Sequence, residues 1–246
     1  MEWSDQGLVL GAQKYGENDT ILDILTQQNG RAKGFVKGGG GRRLRGVLQS
    51  GNSVTVVWRA RLSTNLGRFT VESGKARAVH IYGDMLRLSA MNSLSSLLIK
   101  LLPEREAVEN IYLGYEALLN LLSEPDATNN HCAIAMIKFE AGLLRELGFG
   151  LDLAACALTG EVENLSHVSP KSGRAVTKDA GEPYVDKLLP LPAFLLEDNL
   201  SSEHVSNEDI IAGFNLTGYF LSRHLLHPLG IDLPIERTRL LTSFEK

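Results

Sequence analysis

Thr20-Ile21-Leu22-Asp23-Ile24-Leu25-Thr26, then Gln27-Gln28-Asn29-Gly30, then Arg31-Ala32-Lys33-Gly34-Phe35-Val36-Lys37, is the stretch that decides the first domain. Its opening segment is rich in Ile, Leu and Thr, which suit a pleated, half-buried strand. Asn29-Gly30 supplies the positive φ that a tight hairpin needs, and residues 31–37 return as a second strand. Working outward, Gly7-Leu8-Val9-Leu10 opens a strand before the hairpin. Ser53-Val54-Thr55-Val56-Val57-Trp58 and Gly67-Arg68-Phe69-Thr70-Val71-Glu72 follow it. Between the hairpin and Ser53, Gly38-Gly39-Gly40-Gly41-Arg42-Arg43-Leu44-Arg45 breaks all regularity, because four glycines hold neither strand nor helix. Short strands packed this closely predict a small closed barrel over residues 1–80, since closure removes exposed edges.

Past residue 80 the apolar period becomes helical. Residues 84–102 and 104–122 carry apolar stripes separated by Pro103, and residues 131–147 carry a third that ends at Gly148, a C-terminal cap. Three helices with short connections predict a bundle. Residues 151–190 are irregular, punctuated by Gly160, Pro170, Gly173, Gly181 and Pro183. A last amphipathic helix is expected over 209–226, stopped by Pro228 and Gly230.

Charge divides along the same line. Residues 1–78 hold 12 Lys and Arg against 6 Asp and Glu, a balance of +6, whereas the remainder holds 13 against 23, a balance of -10. Such a split points the first part alone toward a polyanion. No apolar run is long enough to span a bilayer. The start Met1-Glu2-Trp3-Ser4-Asp5 lacks a signal-peptide pattern, and two cysteines make no disulfide framework, so a reduced cytoplasmic setting is expected.

The candidate polyanion-contact residues follow from the barrel. A P-loop needs Gly-Lys-Ser/Thr after its glycines. Arg42-Arg43-Leu44-Arg45 stands there instead, on a loop expected to be flexible, which suits guanidinium forks offered to phosphate rather than nucleotide hydrolysis. Arg31, Lys33 and Lys37 alternate on one strand face, Arg59 and Arg61 alternate likewise, and Arg68 lies on the next strand. The aromatics are few: Tyr15, Phe35, Trp58 and Phe69, with Phe35 and Trp58 either stacking platforms or core. Sparse aromatics favour backbone contact over base reading. The histidines, His80, His131, His167, His204, His224 and His227, form no metal set, and Cys156 with His167 gives two ligands where a structural zinc needs four. No nucleophile elbow or His-Glu-x-x-His motif occurs, so no catalytic residue and no cofactor is expected.

Four segments in order carry a family resemblance: Gly7 to Gly38, through Tyr15-Gly16-Glu17-Asn18-Asp19; Lys138-Phe139-Glu140-Ala141-Gly142-Leu143-Leu144-Arg145-Glu146-Leu147-Gly148-Phe149; Cys156-Ala157-Leu158-Thr159-Gly160 with Val168-Ser169-Pro170-Lys171-Ser172-Gly173; and Arg237-Thr238-Arg239-Leu240-Leu241. Together they resemble the RecO family of DNA repair and recombination mediators. The resemblance implies a multidomain α+β chain: an OB-fold barrel (1–80), a helical bundle (81–150), a degenerate zinc-ribbon-like segment (151–190), and C-terminal helices packing on the bundle (191–246). It implies binding of single- and double-stranded DNA, strand annealing, and partnership with RecR. It also implies docking on the acidic tail of single-strand-binding protein, which helps RecA load at gaps. Lys138, with Arg145 two helical turns on, is the expected receiver of that tail. Zinc-bearing members use two Cys-x-x-Cys pairs, whereas those positions here read Cys156, Thr159, Ser169 and Ser172, so a metal-free version is expected. Two other readings stay open: an OB-fold RNA-binding protein of translation or ribosome assembly, and a hydrolase with its site between barrel and bundle.

Overall fold

The long N-terminal strand serves two neighbours. In the computed structural model, which describes residues 1–62, 64–197 and 205–245, β1 (Glu2–Tyr15) runs antiparallel to β4 (Ser53–Arg59) through its first half, with Glu2 opposite Arg59 and Leu8 opposite Ser53. From Gly7 onward it pairs with β2 (Asp19–Thr26), Gly7 opposite Thr26 and Tyr15 opposite Asp19, with a register slip within this pairing between Val9 and Gly11. Such a bulge bends the strand and lets one ribbon serve two sheet segments. β3 (Gly30–Val36) returns along β2, and β5 (Arg68–Ser73) lies along β4. One parallel step, Phe35 beside Arg68, closes the barrel in the order β1-β2-β3-β5-β4. β1 is longer than the Gly7–Leu10 run that signalled it, because its first residues are held by pairing with β4 and its last, Ala12 to Tyr15, continue along β2 while facing solvent.

The barrel core collects Val9, Leu22, Ile24, Ala32, Val36, Val54, Val56, Trp58 and Phe69. Gly34 is forced by this packing, since a Cβ there would lie 2.4 Å from the Phe69 ring. The hairpin turn before Gly30 is held by the buried carboxylate of Asp5, which accepts the backbone N–H of Gln28 (2.9 Å) and Asn29 (3.1 Å) and the Asn29 amide (2.9 Å). The glycine keeps the positive φ read from Asn-Gly (65°).

Two compact units divide the chain, Met1–Asp126 and Ala127–Lys246. The first contains the barrel, α1 (Arg42–Arg45), α2 (Ala78–Ile81), α3 (Met85–Leu101) and α4 (Glu109–Ser123). The helical stretch expected as one bundle is therefore shared between the units. Hydrogen bonds give the reason. The Asn52 side chain accepts the Ala78 N–H (2.9 Å), the Arg31 guanidinium donates to the Leu102 carbonyl (3.1 Å), and the Arg105 N–H donates to the Arg31 carbonyl (2.7 Å). This last contact holds Arg105 at a φ of 67° and delays α4 to Glu109 rather than the expected residue 104.

In the second unit α5 (Asn129–Glu146) packs against α7 (Asn207–Phe220). Gly148 ends α5 at a φ of 87°, in the capping place expected of it. The segment read as irregular contains a three-stranded sheet in the order β7-β6-β8, from β6 (Leu165–Val168), β7 (Ala175–Thr177) and β8 (Leu189–Pro190), with α6 (Lys178–Gly181) between the last two. Past α7 the chain continues as a π-helical turn, Leu221–Leu226, and Gly230 turns it at a φ of 67°. A further helix, α8 (Ile235–Phe244), corrects the expectation that the helix over 209–226 is the last. At the centre of the unit, buried Glu140 of α5 accepts two hydrogen bonds from Arg237 of α8 (2.8 and 2.9 Å) and one from Thr217 of α7. Among the described residues no helix is long and apolar enough to cross a membrane.

Candidate nucleic-acid interface

The four-glycine run is pinned rather than loose. The Gly38 N–H donates to the Asp19 carboxylate (2.7 Å), Gly40 to the Asn18 carbonyl (2.9 Å) and Gly41 to the Gly38 carbonyl (3.0 Å). Gly39 passes so close to Thr20 that a Cβ would sit 2.7 Å from it. The run thus ends in α1, a single helical turn, where a flexible loop was expected. Leu44 and Val47 pack against the barrel core, which turns Arg42, Arg43 and Arg45 outward into solvent. Among the described residues these three make no ion pair, so their charge is available to a ligand.

Two grooves flank the turn within the first unit. One, of about 540 Å³, is lined by Arg45 and Lys14 with Glu17, Thr20, Gln49 and Tyr82. The other, of about 360 Å³, is lined by Arg42, Arg43 and Lys75 with Asn52, Ser53 and Ser73. Lys14 and Lys75 were missed from sequence. Lys14 sits beyond the apolar run that marked its strand, and Lys75 lies just after β5. Their contribution to the +6 balance was the signal that could have found them.

A second feature lies on the barrel's outer face. Register places Gln13, Ile21, Phe35, Arg68 and Arg59 in one line across the strands. Tyr15, 56% exposed, meets Phe35 edge to face at 5.9 Å, and the Arg68 guanidinium stands 5.7 Å from the Phe35 ring centre. An exposed tyrosine against a half-buried phenylalanine, with an arginine over the latter, is a surface on which a base can stack. The open choice at Phe35 resolves toward the surface. Trp58 resolves toward the core: it is 2% exposed, its indole N–H donates to the Leu66 carbonyl (3.0 Å), and Trp3 stacks on it at 5.7 Å.

The remaining basic residues divide sharply. Lys37 and Arg61 are exposed. Arg31 is corrected from a DNA contact to a structural residue: it is 6% exposed and makes a two-pronged pair with Asp23 (3.0 and 2.7 Å). Burial pushes the Asp23 carboxyl up, while Arg31 and then Lys33 oppose it. Lys33 lies 3.7 Å from both Asp23 and Glu104, so its charge is largely met within the protein. Arg59 pairs with Glu2 at 2.7 Å, which lowers the Glu2 carboxyl below its usual range. That contact is exposed and worth little, so Arg59 can exchange partners where Arg31 cannot.

In the second unit, the Lys138 ammonium donates to the Glu197 carbonyl (3.3 Å) and Arg145 is exposed. Two grooves there, one along α7 and α8 and one beside Leu158 and Tyr184, are lined by other residues. The segment resembling a zinc ribbon keeps both of its turns. The Gly160 N–H donates to the Cys156 carbonyl (2.9 Å) and the Gly173 N–H to the Ser169 carbonyl (2.8 Å), with φ of 78° and 70° at the two glycines. The donor set does not fit zinc. One thiol and three hydroxyls replace four thiolates, and the described residues hold no group of three His, Cys, Asp or Glu able to share a metal. Burial pushes the Cys156 thiol up. Hydrogen bonds from the Thr159 hydroxyl and the backbone N–H groups of Thr177, Leu158 and Thr159 outweigh it and bring the thiol down to about 6. His167 is not a second ligand: its Nδ1 lies 2.9 Å from the Ser166 hydroxyl, and burial lowers its pKa. His204 lies outside the described residues.

Comparison with known proteins accounts for both halves. Residues 1–77 match the family described as Recombination protein O N terminal, and residues 82–231 match Recombination protein O C terminal. A protein of Beijerinckia indica subsp. indica named DNA repair protein RecO is 46% identical over 246 residues, covering 100% of this chain and 96% of that protein. Proteins of the same name from Methylobacterium nodulans (46% identical, 96% of this chain and 95% of that one) and Rhodopseudomonas palustris strain BisB5 (47% identical, 94% and 90%) are similar throughout. With an N-terminal barrel, a helical remainder and both family regions matched in order, the chain belongs to the RecO family.

Proposed function

We propose that this chain binds single- and double-stranded DNA through its barrel and mediates DNA repair and homologous recombination. In this reading it anneals complementary strands and, with RecR, helps RecA load on gaps coated by single-strand-binding protein, in the cytoplasm at the nucleoid. The relatives' shared name supports the pathway. The observation that carries DNA binding is the solvent-facing cluster Arg42, Arg43 and Arg45, held out by the buried side of Leu44 and unmatched by any carboxylate among the described residues. Contacts to phosphate release counterions whatever the sequence, so binding is expected to be sequence-tolerant and steeply salt-dependent. The reading needs no catalytic group.

Binding of fluorescent single strands across a salt series tests it. Replacing Arg42, Arg43 and Arg45 with Ala leaves up to three phosphates without a cation and should flatten the slope of log affinity against log salt by about 0.7 for each such phosphate, roughly two in all. An unchanged slope moves the site elsewhere. Loss of binding when a 2′-hydroxyl strand is replaced by DNA favours an RNA ligand instead. The partner reading keeps Lys138 and Arg145 as receivers of the acidic tail of single-strand-binding protein. Lys138→Glu should weaken binding of a labelled tail peptide while leaving DNA affinity intact, and equal peptide affinity for both proteins removes Lys138 from that site.

A further inference from the structure

We propose that one barrel holds two nucleic-acid strands at once, one on each side of α1. The inference rests on the DNA-binding reading above and adds a second site to it. Its basis is the way α1 partitions the basic side chains. Arg45 faces the larger groove with Lys14, whereas Arg42 and Arg43 face the other with Lys75. Leu44, packed on the core, makes the turn a fixed ridge rather than a loop that could fold into either groove. Hydrogen bonds through Gly38, Gly40 and Gly41 fix where that ridge stands.

Charge in each groove suits a phosphodiester chain. Among the described residues the smaller groove carries Arg42, Arg43 and Lys75 and no carboxylate; the Lys75 ammonium donates to the Asn120 amide oxygen (2.8 Å), a neutral partner that does not offset its charge. The larger groove carries Lys14 and Arg45 against one carboxylate, Glu17. Beside the cations the walls offer glycine backbone and small polar side chains, with Tyr82 and Leu48 in the larger groove and Val47 and Val79 in the smaller, so recognition falls mainly on phosphate and sugar. The smaller groove should therefore hold its strand more tightly and with the steeper salt dependence. Two strands held side by side, with bases not consumed in recognition, is the arrangement that pairing of complementary strands requires.

The test is stoichiometric. Full-length protein at low salt is titrated with a labelled oligonucleotide of about eight nucleotides, within the span of a single OB-fold site. The expected result is two oligonucleotides per chain. Lys14→Glu with Arg45→Glu should leave one, and Arg42→Glu with Arg43→Glu and Lys75→Glu should also leave one, the weaker. All five side chains are solvent-facing, so circular dichroism should report an unchanged fold. One oligonucleotide per wild-type chain, with both sets of substitutions weakening that same site, means a single strand wraps the ridge and overturns the proposal while DNA binding stands. Two per chain that survive both sets place a site elsewhere and overturn it equally. No binding by the wild type sinks the DNA-binding reading itself.

Discussion

Removing Arg237 from the second unit should cost more than most substitutions elsewhere in the chain. Glu140 is 0% exposed and Arg237 3%, and the carboxylate is satisfied by two guanidinium hydrogen bonds and the Thr217 hydroxyl. Arg237→Ala leaves a buried carboxylate with one neutral donor, an uncompensated charge that costs roughly 3–5 kcal/mol. With a urea dependence of about 1–3 kcal/mol per molar, the midpoint for this unit should fall by about 2 M. The assay can tell the two units apart. Both tryptophans, Trp3 and Trp58, lie in the first unit, so their fluorescence should keep its transition while part of the far-UV circular dichroism is lost at lower urea. The compensating change is Glu140→Leu with Arg237→Met, which removes both charges and should recover most of the loss. Thr217 keeps an acceptor in the Gly213 carbonyl (3.1 Å) in that variant. A circular dichroism midpoint that moves by less than about 0.5 M in Arg237→Ala, or a double variant as unstable as the single, refutes the reasoning.

Three further outcomes are expected. Gly34→Ala drives a methyl into the Phe69 ring and should destabilise the barrel by about 1–3 kcal/mol in thermal melts, with Phe69→Leu on that background restoring part of it; a melt equal to wild type means the strand shifts freely. Because Cys156 titrates near 6 in the folded chain and higher when unfolded, the stabilisation it provides is full above its unfolded pKa and fades as pH falls through about 6, so the melting difference from Cys156→Ser should grow between pH 6 and 9 and is absent if the thiol stays protonated. Metal analysis of untagged protein should find well under one zinc per chain and no effect of a chelator on melting, and stoichiometric zinc contradicts the donor-set argument.

What could be read from the sequence followed the reach of each signal. Strands β2 to β5 and helices α3, α5 and α7 announce themselves through local apolar period, and their order sufficed for a barrel and a helical remainder. The arginine turn was legible as exposed charge but not as structure, because the hydrogen bonds that order Gly38 and Gly40 come from Asp19 and Asn18, on the far side of a hairpin. Arg31 was misread for the same reason. Alternation puts it on the outer face with Lys33, but nothing local says that Asp23 and the Leu102 carbonyl close over it. Strands β6 to β8 are too short to show a period, and α8 follows a Pro and Gly stop that looked final. The Glu140–Arg237 pair spans 97 residues, beyond any pattern of spacing.

The double pairing of β1 sets an order on the growing chain. Its second half finds β2 as soon as Thr26 has emerged, but Glu2 to Gln6 have no strand partner until Thr55 to Arg59 are made. At about 5–20 residues per second, the wait is roughly 3–10 s. Through that interval the N-terminal half of β1 stays unmatched, and it carries Trp3 on an open backbone edge of the kind that invites pairing with other chains. Nascent chains stalled before β4 should therefore be digested from the N-terminus, and chains stalled after β5 has cleared the ribosome should resist. Equal resistance at both lengths would mean that the N-terminal segment finds temporary cover within the hairpin.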